Sequence, residues 1–186
     1  MAVRKILRMG HPTLRKRARR LDARELASTE IKRLLADMID TLKDSGGIGL
    51  AAPQIDEPIR LAIIDMPGGP SRYGDTPSLP LTVFANPTIE VVDPATAGYW
   101  EGCLSVPGLR GFVERPQHVR VTYQDLDART HVLELQGFPA TVFQHEFDHL
   151  DGVLYIDRMT DTTKLVFEDE YVKHLTTHEA EDDLLV

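Results

Sequence analysis

The chain has a single cysteine, Cys103, so it can close no intrachain disulfide; this fits a reducing compartment and leaves the thiol free for chemistry or burial. Positive charge is also scarce. Against 29 Asp and Glu stand 21 Lys and Arg, a net charge of -8 with a pI near 5.3, which is not the basic footprint that phosphate recognition needs. Direct nucleic-acid binding is therefore not expected. No apolar run approaches the roughly 18 residues of a membrane span, and the basic start lacks the apolar stretch of a secretory signal. No repeat, linker or low-complexity tract divides the 186 residues. The reading is one domain over 1–186, cytoplasmic, with no membrane partner.

Such basic charge as there is concentrates at the start. Arg4, Lys5, Arg8, Arg15, Lys16, Arg17, Arg19 and Arg20 all precede the first acid, Asp22. Mitochondrial transit peptides share that Arg-rich, acid-poor character, but the preferred reading is a solvated surface of the folded domain. At the other end Glu179 to Asp183 is acidic, and residues from about 177 are expected to form a mobile tail.

Between Ser28 and Gly46, Ile31, Leu34, Leu35, Met38, Ile39 and Leu42 recur at helical spacing. Ser28 or Thr29 would cap the start and Gly46-Gly47 the end. Runs rich in β-branched residues then suggest strands at Ile59 to Ile64, Leu81 to Phe84, Thr88 to Val92, Val119 to Tyr123 and Val132 to Leu135. From Pro67 to Pro80 the chain is polar and rich in Gly and Pro, which predicts a mobile surface loop. Gly137 and Pro139 introduce a second helix that Gly152 closes; its apolar Val142, Phe143, Phe147 and Leu150 predict burial. A third helix is expected from about Thr162 to Leu175.

The second helix carries His145-Glu146-Phe147-Asp148-His149. Residues four apart on a helix share a face, with Cβ atoms roughly 5–6 Å apart, so two imidazoles can hold one metal ion while Glu146 acts as a base on its water. Spacing alone does not make a site. His174 and His178 repeat it with Leu175 where the base would sit, and read as a solvated helix end. A catalytic metal of this kind takes three protein ligands and keeps one position open. Cys103, in Glu101-Gly102-Cys103-Leu104-Ser105, is the candidate third ligand, although a lone cysteine is more often a small buried hydrophobe.

The segment Gly47-Ile48-Gly49-Leu50-Ala51-Ala52-Pro53-Gln54 resembles a dinucleotide fingerprint only superficially, because that motif needs a strand before it and a helix after. An extended segment along which a peptide backbone can lie fits better, with Gln54 offering an amide donor to a developing oxyanion. The plainer alternative is a helix-stop turn with a surface glutamine.

Taken in order, a Gly-rich segment ending in Gln54, Glu101-Gly102-Cys103-Leu104-Ser105, and His145-Glu146-Phe147-Asp148-His149 resemble the peptide deformylases. Ile6-Leu7, Gly10, Pro12, Leu14-Arg15 and Ala18 look like that family's opening, which makes the basic start part of the fold. The resemblance implies an enzyme that removes the N-formyl group from N-terminal formylmethionine of nascent polypeptides and releases formate. It implies one divalent metal, natively Fe2+ with Zn2+, Ni2+ or Co2+ also able to bind, held by Cys103, His145 and His149. Water held by that metal would be the nucleophile, with Glu146 as general base and then acid. Gln54 and the Leu104 backbone N–H would stabilise the oxyanion, and Gly49 would contact the peptide backbone. Ile48, Glu101, Gly102, Arg110, Phe138 and Val142 would border the methionine pocket, and Arg115 would pair with Asp148 behind the metal helix. The implied fold is α+β: mostly antiparallel sheets packed around a central metal-binding helix, with an N-terminal and a C-terminal helix. Two departures stand out: the 67–80 stretch looks long for the family, and the C-terminus is acidic where some members dock a basic tail on ribosomal RNA. Ribosome proximity is implied by family alone. Rival readings are a zinc endopeptidase with another third ligand, and a noncatalytic metal-stabilised module that grips methionine.

Overall fold

The computed structural model describes residues 2–71 and 74–176, with side chains outside 70–76. Two helices come first, α1 (Ala23–Ala27) and α2 (Thr29–Ser45). Five residues give too little periodicity for α1 to be seen in sequence; it is held by a capping box in which Asp22 and Glu25 satisfy each other's backbone N–H groups. In α2, Ser28 is the N-cap, its Oγ accepting from Ile31 N at 3.2 Å. Ile31, Leu34, Met38 and Leu42 are buried along one face, and Gly46 ends the helix in the left-handed region at φ 67.

The main sheet is antiparallel throughout, in the order β1 (Gly49–Ala51), β2 (Leu61–Met66), β5 (Leu79–Cys103), β6 (Val106–Gln124) and β7 (Thr130–Gln136), with β8 (Leu165–Phe167) also paired to β6. The runs expected as separate strands at Leu81 to Phe84 and Thr88 to Val92 are one strand. Pro87 falls in a register shift between Ala85 and Thr88, where its missing N–H costs no ladder bond. Asn86, at φ 50, exchanges side-chain hydrogen bonds with the backbone of Leu21 there, both at 2.8 Å. Ile59 lies outside β2 and makes a parallel bridge with Arg19.

Three further expectations need correction. The 67–80 stretch is not all loop: β3 (Gly69–Ser71) and β4 (Gly74–Thr76) form a small hairpin, and β5 begins at Leu79. A two-stranded ribbon needs backbone pairing more than apolar side chains, so composition hid it. The expected helix from Thr162 to Leu175 is instead a 3-10 turn (Thr162–Lys164), β8, and the short α4 (Glu168–His174). Leu165 to Phe167 find ladder partners in Gly111 to Leu109, a tertiary pairing that overrides local helical preference. His149 does not lie inside its helix. α3 (Phe138–Asp148) ends one residue earlier, and His149 opens a 3-10 turn that Gly152 stops. His178 and the tail from about 177 lie outside the described residues.

α3 packs against β1, β2, β5, β6 and β7. Its Val142, Phe143 and Phe147, with Leu150 of the following 3-10 turn, join Phe84, Ala62, Ile64 and Val121 in one buried cluster. Phe143 meets Phe84 edge-on, their ring centroids 5.0 Å apart, and is fully buried; such a side chain contributes about 2–3 kcal/mol by leaving water. The basic start is built into this body. Leu7 N–H donates to Gln54 O, Met9 N–H to Ser105 O and Ala18 N–H to Leu150 O, at 2.8, 2.7 and 2.8 Å. These are not the contacts of a detachable leader. Among the described residues no helix is long and apolar enough to cross a membrane.

Candidate active site

β5 and β6 are joined by a tight turn at Leu104-Ser105, which places Cys103 at the hairpin tip opposite Val106. α3 runs alongside and brings up His145 and, at its end, His149. Ligand atoms of Cys103, His145 and His149 all lie within 4.8 Å of one another. Cys103 Sγ is 3.3 Å from His149 Nε2, and the two imidazole centroids are 5.3 Å apart with rings nearly perpendicular, at 80°. Among the described residues this is the one cluster of three such side chains that could hold a metal.

What surrounds the cluster fixes its direction. His145 donates Nδ1–H to Glu101 Oε2 at 2.7 Å, which leaves Nε2 facing the cluster. Glu101 in turn accepts from Arg115, Nε to Oε1 at 2.6 Å and Nη2 to Oε2 at 3.1 Å; both side chains are buried. Arg115 also donates to Asp148 at 2.8 Å, and Arg158 completes that carboxylate at 2.6 and 3.1 Å. The expected Arg115–Asp148 contact is present. Glu101 borders the cleft, and its carboxylate is committed to His145 and Arg115.

The charges follow from this packing. Burial pushes the Cys103 thiol up, yet the neighbouring charges of His149 and His145 overcome it and hold the thiol well below its usual range. For His145 burial disfavours the cation, but Cys103 and Glu101 win and raise it well above the ordinary imidazole value. A thiol held low in this way favours the thiolate, the form in which cysteine binds a metal. Glu146 moves the other way from most paired carboxylates: burial raises it, with His145 and His149 pulling partly back. Its Oε2 is buried without a hydrogen-bond partner among the described residues. A carboxyl oxygen left that way is available to a ligand or to water.

Gly49 and Gln54 complete the wall. A Cβ at Gly49 would sit 2.5 Å from Glu146 Oε1, so only glycine lets β1 pass this close. Gln54 is no surface residue: it is 2 % exposed, its Oε1 accepts from Ala51 N at 2.8 Å, and its Nε2 faces Ser105 Oγ at 3.2 Å and Cys103 Sγ at 3.7 Å. One cleft of about 590 Å³ touches Ile48, Gly49, Gln54, Glu101, Gly102, Cys103, Leu104, Arg110, Phe138, Val142, His145 and Glu146. His149, Arg115 and Asp148 lie outside its lining. The cleft also takes in Trp100, Thr141 and Glu168, which sequence reading missed. Nothing in local pattern marks these three; they arrive from near the end of β5, the N-terminal part of α3 and the start of α4.

A family model, polypeptide deformylase, matches residues 3–165. The chain belongs to the peptide deformylase family. It is therefore an enzyme, a hydrolase. A peptide deformylase of Leptospira biflexa is 43% identical over 162 residues, covering 87% of this chain and 90% of that one. Among solved structures, the peptide deformylase of Thermotoga maritima superposes with a TM-score of 0.75 at 36% identity, covering 87% of this chain and 100% of that one. A class I type b peptide deformylase from Acinetobacter baumannii, with Met-Ala-Ser bound, gives a TM-score of 0.79 at 36% identity, covering 85% and 99%. The α+β fold with its mostly antiparallel sheet is the deformylase fold.

Proposed function

We propose that this deformylase removes the N-formyl group from formylmethionine at the start of nascent polypeptides, in the cytoplasm and as a single domain over 1–186, and that the reaction depends on a divalent metal. The observation that carries this reading is a buried Glu146 oxygen, unpartnered among the described residues, beside a Cys103, His145 and His149 cluster of which Cys103 and His145 line the same cleft as Glu146. The donor set fits a metal. A thiolate and two imidazoles, one of them oriented by a carboxylate, suit a borderline-soft ion with a fourth position free, and no fourth side chain joins the cluster among the described residues. Fe2+ is the proposed native ion, with Zn2+, Ni2+ or Co2+ able to replace it. When bound it supplies Lewis acidity to solvent and to the formyl oxygen.

This chain's residues do the rest. Glu146, made more basic by burial while the neighbouring imidazoles favour its ionised form, takes a proton from the attacking water and passes it to the departing methionine nitrogen, a role generally worth about 10²–10⁴-fold. Gln54 Nε2, fixed by the Ala51 contact, and the Leu104 N–H are donors for the oxygen that gains charge as the formyl carbon becomes tetrahedral. The bond from the formyl carbon to nitrogen breaks, giving formate and a free amine. β1 offers backbone at Gly49 to the peptide. Ile48, Gly102, Arg110, Phe138 and Val142 form the side-chain pocket for methionine, consistent with a Met-Ala-Ser ligand in the Acinetobacter baumannii relative. Arg115 and Asp148 support His145 from behind through Glu101. Proximity to the ribosome is part of the proposal only through the nature of the substrate.

Formate release from formyl-Met-Ala beside acetyl-Met-Ala, with metal content measured on the same sample, tests this. Release from the formyl peptide alone is expected. Equal silence on both by metal-loaded protein would count against it, and cleavage of internal bonds would favour an endopeptidase.

A further inference from the structure

The 3-10 turn Tyr155–Arg158 meets the surroundings of His145 at two points. The buried Tyr155 ring lies nearly parallel to the His145 imidazole, at 18° with centroids 6.1 Å apart. Gly111 makes the room, since a Cβ there would fall 2.8 Å from the Tyr155 ring. Arg158 reaches the same imidazole through three further side chains. Its Nη2 and Nε donate to Asp148 Oδ1 and Oδ2 at 2.6 and 3.1 Å, and Asp148 Oδ2 also accepts from Arg115 Nη1 at 2.8 Å. Arg115 holds both oxygens of Glu101, whose Oε2 takes the Nδ1–H of His145. The turn is itself pinned by Asp157, which accepts from the Leu154 N–H at 2.8 Å and pairs with Arg15.

We infer that Arg158 is a positioning residue for the metal site: it holds Asp148 in place and so, through Arg115 and Glu101, fixes the direction in which His145 presents Nε2. The inference rests on the reading of Cys103, His145 and His149 as metal ligands. Its physical basis is a division of labour. A stacked ring such as Tyr155 resists tilting of the imidazole but not rotation in its own plane, which only the directional contact to Glu101 opposes. That contact is as firm as the carboxylate that makes it. Across Glu101, Arg115, Asp148 and Arg158, two guanidinium groups stand against two carboxylates and no net charge remains. Without Arg158 the little-exposed Asp148 has only Arg115 to draw on; Arg115 turns toward it, its hold on Glu101 slackens, and the ring is freed. Arg158 is also the one link that is half in solvent, 50% exposed against 11% for Asp148 and 4% for Arg115, so it can be changed without opening the core.

The test is the rate at which Zn2+-loaded protein loses its ion to a chromogenic chelator, with Tm of the metal-free protein measured alongside. Groups that contact metal ligands directly are typically worth about 10–100-fold in affinity, and Arg158 stands further out, so Arg158→Gln is expected to speed release by about three- to tenfold. Tm of the metal-free variant should stay close to wild type, as for the loss of a half-exposed ion pair. Arg158→Lys keeps the charge and one donor and should recover part of the difference. Asp148→Asn should itself release Zn2+ faster, and adding Arg158→Gln to it should change nothing more, because both act through one carboxylate. Arg120→Gln, which removes an exposed pair with Glu90, serves as the control and should match wild type. Release at the wild-type rate in Arg158→Gln, additive effects in the double variant, equal acceleration in Arg120→Gln, or a fall in metal-free Tm that matches the acceleration would each overturn the positioning role. A wild type that takes up no Zn2+ would instead overturn the metal reading, and the inference with it.

Discussion

A few atoms decide whether the cleft can work as a general acid–base site. Glu146→Gln keeps the shape of the side chain and removes the proton acceptor, so formate release should fall by about 10²–10⁴-fold while bound metal, measured by elemental analysis, stays the same. Loss of metal along with activity would mean that Glu146 is structural. Gly49→Ala makes a subtler change: the added methyl displaces the Glu146 carboxyl, which sits 2.5 Å from where it would stand. We expect kcat to drop more than tenfold, roughly the cost of moving a reacting group by an ångström, with little change in Tm. Both residues stand in recognisable motifs, but the contact between them does not. The sequence places Gly49 and Glu146 almost a hundred residues apart.

At the scale of elements, α3 must be held rigidly because it presents His145 and Glu146 and leads directly into His149. Phe143, fully buried against Phe84 and Phe147, is the clearest anchor. Phe143→Ala should cost about 3–5 kcal/mol in a urea melt, the usual range for emptying an aromatic site in a packed core; a cost under 1 kcal/mol would show that the helix is held some other way. Behind α3, Asp148 joins Arg115 to Arg158. Burial raises its carboxyl, but the two guanidinium groups outweigh this and hold it below its ordinary value. A carboxyl depressed in the folded state stabilises the fold above its unfolded value of about 3.9, and that contribution disappears as pH falls through the lower folded value. Wild type should therefore lose Tm between neutral pH and the acid side of about pH 4 more steeply than Asp148→Asn, which starts lower because Arg115 has lost a buried partner. Parallel curves for the two proteins would refute this assignment.

Over the whole molecule, the candidate ligands bridge separate parts of the fold, Cys103 from the β5–β6 turn and both histidines from α3 and its end. A metal that binds the folded state alone must stabilise it, by about 4 kcal/mol at a thousand times its dissociation constant. Adding Zn2+ to chelator-treated protein should raise Tm, and Cys103→Ala should abolish most of that rise. How much of this could be read in advance differs by element. α2, α3 and the Cys, His and Glu site residues are legible because helical periodicity, caps and ligand spacing are local properties of the chain. β5 reads as two strands in sequence because Pro87 looks like a stop until the bulge that accommodates it is seen. The sequence alone predicts too long a C-terminal helix because Leu165 to Phe167 take their conformation from Leu109 to Gly111 across the sheet.

The residue types and their order were enough to determine the family, the buried α3 helix and the candidate site residues, since chemistry and short-range periodicity travel with the chain itself. Only the tertiary structure decided that Glu101 turns to His145 and Arg115, that Gln54 is buried with its amide pointing at Cys103, and that Glu168 reaches the cleft to meet Arg110. Those outcomes depend on which surfaces exclude water together, and burial is a property of the packed molecule that no local stretch of sequence contains.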